Sequence, residues 1–314
     1  MTKNVESTNI LRELEPVVES ELNRHEKMVK NWYPHDYVPW SEGKNFAYLG
    51  GEDWEPTQSR LGKAARAAMY VNLLTEDNLP SYHRVISATF GRDSAWGTWV
   101  DRWTAEENKH GIAMRDYLTV TRAINPVELE QARMQQMTSG YQSEKSPLDA
   151  VAYVTMQELA TRIAHRNTGI ESRKDGDELA EKLLARIALD ENLHMLFYRN
   201  IGTAAFEVEP NEMMKSVTEE ILGFQMPGAA SIPDFWANAA VIADAEIYDL
   251  NIHANSIVNP TLKHWKVWDR TDLSGEGAEA RDKLGRYMLK LESKAQELVE
   301  LREEQKAAQN TSQN

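Results

Sequence analysis

The chain alternates long stretches with apolar residues at three- and four-residue steps and shorter stretches where that rhythm breaks. Apolar spacing over 6–30 predicts a first helix. Residues 31–60 abandon the pattern: Trp32-Tyr33-Pro34-His35-Asp36-Tyr37-Val38-Pro39-Trp40 and Gly50-Gly51 predict an irregular, aromatic-rich segment. Helical rhythm returns at about 60–90, 94–121, 127–140, 147–169 and 177–206. Gly91, Asn125-Pro126 and Gly169 act as turn signals, and 174–177 reads as a loop. Pro210 and Pro227-Gly228 bracket another helix, and two more patterns cover about 233–249 and 276–304. In the last, Leu284, Met288, Leu291, Ala295, Leu298 and Leu301 form a stripe that predicts docking on the core. The polar end, 305–314, is expected to fray. With no convincing set of strands and no low-complexity linker, the pattern predicts an all-α protein with one domain over 1–314.

Composition narrows this picture mainly by exclusion. Hydrophobic residues make up 41% of the 314, an ordinary globular share. No apolar run reaches the roughly 20 residues that a membrane span needs. The start, Met1-Thr2-Lys3-Asn4-Val5-Glu6, lacks the apolar stretch of a signal peptide, so a cytoplasmic location is expected. There are no cysteines, which excludes disulfides, thiolate metal sites, iron–sulfur ligation and cysteine nucleophiles. The net charge of −14 argues against nucleic acid as a partner, because phosphates select a basic face.

Any metal must therefore be held by carboxylates and imidazoles. Two E-x-x-H motifs are present, Glu107-Asn108-Lys109-His110 and Glu191-Asn192-Leu193-His194. Residues three apart share a helix face, so each pair can aim a carboxylate and an imidazole at one point. Singly such a motif is weak. The spacing strengthens it: Glu76 precedes Glu107 by 31 residues, and Glu158 precedes Glu191 by 33. Half that separation is roughly a 24 Å half-helix, as expected for antiparallel helices carrying ligands near mid-length. The 51 residues from Glu107 to Glu158 leave room for a crossover with its own helix. Two lone Glu and two E-x-x-H pairs on four helices predict a carboxylate-bridged dinuclear iron or manganese site in a ferritin-like four-helix bundle with additional helices. Pro80 cannot donate to the Glu76 carbonyl, so a helix either kinks or ends beside that ligand, or Pro80 simply starts a new helix.

The stretches Thr75-Glu76-Asp77-Asn78-Leu79-Pro80-Ser81-Tyr82, Trp103-Thr104-Ala105-Glu106-Glu107-Asn108-Lys109-His110-Gly111, Gln157-Glu158-Leu159-Ala160-Thr161 and Asp190-Glu191-Asn192-Leu193-His194 resemble the soluble acyl-acyl-carrier-protein desaturases, actinobacterial branch. The resemblance covers roughly 10–300. It implies a homodimeric enzyme with two iron ions. That enzyme uses O₂ and two electrons, usually from a ferredoxin, to place a cis double bond in a saturated chain carried by acyl carrier protein. It implies Glu76 and Glu158 as terminal ligands, Glu107 and Glu191 as bridging ones, and His110 and His194 as imidazole ligands. It also implies that Thr161 assists proton or oxygen handling and that Trp32 and Asp190 relay electrons through His110. Val85, Ile86 and Met156 take positions that line an acyl channel. Against the plant members, the Glu76-to-Glu107 gap is several residues shorter, which changes the loop at Gly91-Arg92-Asp93. The carrier protein is acidic, so docking requires a local basic patch, with Lys63 and Arg66 or Arg173 and Lys174 as candidates. Other readings share the metal motif: a hydroxylase component, a ribonucleotide reductase radical subunit, ferritin-like iron storage, or a non-catalytic iron-binding homologue.

Overall fold

A computed structural model describes residues 2–312, the side chains of 2–8, 306 and 309–312 excepted. Among the described residues there are helices and turns but no strand. The helices are α1 (Thr2–Met28), α2 (Lys63–Glu76), α3 (Leu79–Phe90), α4 (Ser94–Val120), α5 (Pro126–Ser139), α6 (Pro147–Lys174), α7 (Glu178–Val208), α8 (Pro210–Leu222) and α9 (Phe235–Asp244). Then α10 (Leu250–Ile252) runs through a π-helical stretch, His253–Val258, into α11 (Asn259–His264), and α12 is Gly275–Ser312.

Helices α2, α4, α6 and α7 pack together as the central bundle, with α1 laid across α4 and α7, α8 against α6 and α7, and α12 packed on α8. Local chemistry sets the ends. Asn125 caps α5 ahead of Pro126, accepting from the Val127 amide at 3.0 Å. Ser146 and Asp149 form a reciprocal capping box at the start of α6. Gly176, at φ +91°, turns the chain tightly between α6 and α7, and the Asp177 carboxylate caps the Ala180 amide at 3.1 Å. That short turn makes α6 and α7 antiparallel neighbours.

Several expectations are refined. The pattern over 60–90 is two helices: α2 ends on Glu76, and Pro80 stands in the first turn of α3, so both alternatives considered for Pro80 hold together. Gly169 is no turn. It is buried within α6, where an added Cβ would lie 3.4 Å from the Glu181 backbone and the Leu184 side chain of α7. The missing side chain serves close helix packing rather than chain reversal. The α10–α11 stretch was not expected. The aromatic segment 31–60 is irregular, with four single 3-10 turns. Arg122 ties it down, donating to the carbonyls of Asn45 (2.9 Å), Glu52 (3.0 Å) and Asp53 (3.2 Å). In α12, Leu284, Met288, Leu291 and Ala295 are buried as expected, whereas Leu301 is 56% exposed, beyond the core. The helix continues to Ser312 past the start of the expected frayed end, and 313–314 lie outside the described residues.

Candidate metal centre

Six side chains from four helices converge midway along the bundle. Glu76 comes from the end of α2, Glu107 and His110 from α4, Glu158 from α6, and Glu191 and His194 from α7. They form two overlapping sets. Ligand atoms of Glu76, Glu107, His110 and Glu191 lie within 4.8 Å of one another, as do those of Glu107, Glu158, Glu191 and His194. Glu107 and Glu191 belong to both sets. Glu76 and Glu158 each belong to one.

The donor atoms have no other employment. Glu107 Oε1, Glu158 Oε2, Glu191 Oε1, His110 Nδ1 and His194 Nδ1 are all buried without a hydrogen-bond partner. His110 Nδ1 stands 3.3 Å from Glu107 and 3.2 Å from Glu191. His194 Nδ1 stands 2.7 Å from Glu107 and 3.6 Å from Glu158. These are close approaches without hydrogen-bond alignment. Orphaned buried polar atoms are costly, and five of them facing one point fit a cation pair. The charges fit as well, since four carboxylates neutralise two divalent ions.

Electrostatics point the same way. Burial pushes the Glu76 and Glu158 carboxyls well above the ordinary range, and the charges of Glu107 and Glu191 push in the same direction. Burial also opposes charge on Glu107, but His110 and His194 outweigh it and hold its carboxyl low. For the two imidazoles burial disfavours the proton, yet the surrounding carboxylates raise both well above the usual value. Without a metal, protons do the neutralising, and metal binding displaces them.

The supporting shell is built twice. Asp190 Oδ2 faces His110 Nε2 at 3.4 Å and accepts from the Trp32 indole at 2.6 Å, while Arg186, one turn back, pairs with Asp190 Oδ1. Glu106 Oε2 faces His194 Nε2 at 2.9 Å and His25 Nε2 at 3.0 Å, while Arg102, one turn back, pairs with Glu106 Oε1. Each carboxylate orients an imidazole on the opposite helix so that Nδ1 points at the centre. Trp32 also stacks on His110, with ring centroids 6.2 Å apart, and its face carries the Lys109 ammonium at 5.3 Å. Thus the three residues Trp32, Asp190 and His110 are brought into one line. Thr161 donates to Glu191 Oε2 at 2.9 Å.

Glu106, His25, Arg102, Arg186, Trp103 and His165 carry roles here that the sequence alone did not assign. The Glu106–His25 arm mirrors the Asp190–Trp32 arm, and its signal is visible in retrospect. Arg102-x-x-x-Glu106-Glu107-x-x-His110 and Arg186-x-x-x-Asp190-Glu191-x-x-His194 are the same nine-residue pattern. Trp103, one turn before Glu107, donates to Glu158 Oε1 at 3.0 Å. His165, one turn after Thr161, places Nε2 3.1 Å from Glu76 Oε1. His25 carries no local signal, because its partner is 81 residues away.

Three cavities meet the centre at Glu76, the third a more open groove of 1620 Å³ between α3 and α4 that also touches Glu107. The first, of 690 Å³, has Glu76, Glu107, Trp103, Ile86, Val85 and Val154 in its wall. The second, of 680 Å³, has Thr161, His165, Val71, Ile242 and Tyr248 beside Glu76. Val85 and Ile86 therefore line a cavity at the centre. Met156 does not: it is fully buried in the main core and lines none of the three. Two residues before Glu158 on a helix, it points to the opposite side. Of the candidate basic pairs, Arg173 is engaged by Glu181 at 3.0 Å and Lys174 by Glu171 at 2.7 Å. No helix among the described residues is long and apolar enough to cross a membrane.

Comparison with known proteins sets this geometry in context. The family model described as fatty acid desaturase matches residues 6–314. The chain is 51% identical over 301 residues to the Mycobacterium tuberculosis protein DesA1, by name an acyl-(acyl-carrier-protein) desaturase, covering 93% of this chain and 88% of that one. It is 28% identical over 308 residues to a chloroplastic stearoyl-(acyl-carrier-protein) 9-desaturase of oil palm, Elaeis guineensis, covering 92% and 78%. The crystal structure of DesA2 from M. tuberculosis matches with a TM-score of 0.70 at 30% identity, covering 82% of this chain and 95% of that one.

Proposed function

Because the chain belongs to the fatty acid desaturase family, we propose that it introduces a cis double bond into a saturated acyl chain carried on acyl carrier protein, using a di-iron centre and O₂. The observation that carries this reading is the set of five orphaned donor atoms facing one point beside apolar cavities. Glu76, Glu107, His110 and Glu191 would hold one iron, and Glu107, Glu158, Glu191 and His194 the other. When bound, the two irons supply the capacity to activate O₂ toward an unactivated C–H bond. The balance is one O₂, two electrons and two protons from outside, and two hydrogens from the chain, giving the alkene and two waters.

The protein's own residues provide position, dryness and an electron route. The first two cavities adjoin at Thr75 and Glu76, and their apolar walls hold an alkyl segment against the centre by burial. Thr161, bonded to Glu191, holds a hydroxyl proton beside the ligand shell on the second cavity's wall. Trp32, Asp190 and His110 form the route for electrons from a ferredoxin-type donor. The second cavity follows Ala68, Val71, Asn72 and Thr75 along α2, back toward Lys63 and Arg66. We assign the acidic carrier to that side, since the other candidate pair is occupied by neighbouring carboxylates. The family resemblance supports a homodimer. The apolar cavities favour acyl oxidation over iron storage, which needs polar ion paths.

The test is to load the protein with iron and offer stearoyl- and palmitoyl-acyl carrier protein with O₂ and a reduced ferredoxin system. Double-bonded product supports the reading. Iron uptake with O₂ consumption but no acyl turnover sinks it.

A further inference from the structure

The first cavity is not fully enclosed. Four of its wall residues, Val85, Thr89, Ser143 and Lys145, also line an outer groove of 1050 Å³ that runs along α3 and the segment joining α5 to α6. The cavity beside Glu76 and Glu107 thus adjoins the outer groove between α3 and residues 141–146.

That junction is built. The chain leaves α5 at Gly140, whose φ of +68° suits glycine, and turns alongside α3. Asn78 then donates to the Gly140 carbonyl at 3.3 Å, and Arg84 donates to the Tyr141 carbonyl at 3.1 Å. The capping box at Ser146 fixes the other end of the segment. Held at these points, the segment forms one wall of the cavity through Tyr141, Ser143 and Lys145. Lys145, the one long side chain at the junction, lines both the cavity and the groove. Its ammonium pairs with Glu220 at 2.5 Å and sits over the Tyr153 ring at 4.7 Å. The remaining junction residues, Val85, Thr89 and Ser143, are short.

We propose that the cavity opens at this junction and lets the methyl end of a long acyl chain pass out, so that chain length is not limited by a closed pocket end. The inference rests on the acyl-desaturase reading above, with the carrier on the Lys63 and Arg66 side and the methyl end in the first cavity. In a closed pocket, each methylene up to the floor adds about four-fold in binding and the next one clashes. Here the gain per methylene ends at Val85 and Thr89, and further methylenes run into the groove at little cost. Selectivity therefore has a lower limit and a plateau, with no upper cut-off.

The experiment measures kcat/KM for carrier-bound saturated chains from 14 to 24 carbons on the iron-loaded protein. Dissociation constants are measured for the same series without O₂. The expected profile rises and then stays within about three-fold to the longest chain. Thr89→Trp, filling the opening from α3, and Ser143→Trp, filling it from the opposite wall, should each lower the ratio of 24- to 16-carbon specificity at least ten-fold. Metal content and helical signal identify a variant that has not folded, and the other variant then decides. A wild-type profile that drops ten-fold or more at one length overturns the proposal, as does a long-to-short ratio unmoved in both folded variants. If chains bind but none is turned over, the functional reading fails, and the binding profile alone decides the opening.

Discussion

Glu106 offers the sharpest test of how the metal centre is organised, because it lies outside the six converging side chains yet aims one of them. Its Oε2 lies 2.9 Å from His194 Nε2 and 3.0 Å from His25 Nε2, and both imidazoles are fully buried. Burial alone would favour a protonated carboxyl, but the two histidines hold the Glu106 carboxyl low, so it is an anion that accepts from both rings. Changing it to leucine leaves two buried N–H donors facing an apolar side chain and frees the His194 ring to turn its Nδ1 away from Glu107 and Glu158. Losing a carboxylate that orients a metal-bound imidazole typically costs 10–100-fold in affinity, or about 1.4–2.7 kcal/mol. Glu106→Leu belongs at the upper end of that range. Glu106→Gln keeps an acceptor oxygen and belongs near ten-fold. Anaerobic Co(II) titration against a competing chelator measures this directly, with the visible absorption of the bound ions as the signal. Asp190→Asn, on the mirror-image arm through His110, should give a loss matching Glu106→Gln within a few-fold. If Glu106→Leu binds both ions within two-fold of wild type while Glu107→Ala loses dinuclear binding, the orienting role assigned to Glu106 is wrong.

Three further outcomes follow from the same structure. Thr161→Val removes a buried hydroxyl donor to the Glu191 carboxylate, a bond to a charged acceptor worth roughly 1.5–3 kcal/mol. The urea midpoint of the metal-free protein should fall accordingly, and product formed per O₂ consumed should drop with both metals still bound. Gly202→Ala places a Cβ 2.6 Å from the buried Trp265 ring, which also donates to the Arg199 carbonyl at 2.9 Å, so overpacking should cost about 1–3 kcal/mol in urea unfolding. His253 is pushed down to about 4 by burial, against ~6.5 for a free histidine. Below pH 6.5 the unfolded chain takes up this proton while the folded one does not. Stability is therefore intact above pH 6.5 and is lost progressively to about pH 4, by about 3 kcal/mol at ~1.36 kcal/mol per pH unit. His253→Phe should flatten that part of a melting-temperature profile between pH 7 and 4.5, and an unchanged slope would show that other groups carry it.

The sequence was most legible where one helix face does the work. Glu107 with His110 and Glu191 with His194 are neighbours on single turns, so their convergence follows from helix geometry before any tertiary fact is known. The repeated interval to Glu76 and Glu158 then implied four helices around one point, and the structure brings those six side chains together. Asp190 and Thr161 rested on the family resemblance, and each lies within one turn of a ligand on its own helix. Met156 lines neither of the first two cavities, because a residue two before Glu158 on a helix faces away from the centre. Gly169 reads as a turn in one dimension, where a glycine that permits chain reversal and one that permits close helix packing look alike.

What only the tertiary structure decided are the relations between groups far apart in the chain, where no local periodicity constrains which side chains meet. His25 meets Glu106 across 81 residues, Trp32 meets Asp190 across 158, and His165 meets Glu76 across 89. The shape of the cavities belongs here too. Whether the first closes or opens depends on where Asn78 and Arg84 hold the backbone at Gly140 and Tyr141, contacts spanning 62 and 57 residues. Helix periodicity thus carried the ligands, which share a few helix faces. The rest of the site is made by packing between helices, and its partners are chosen by the fold as a whole.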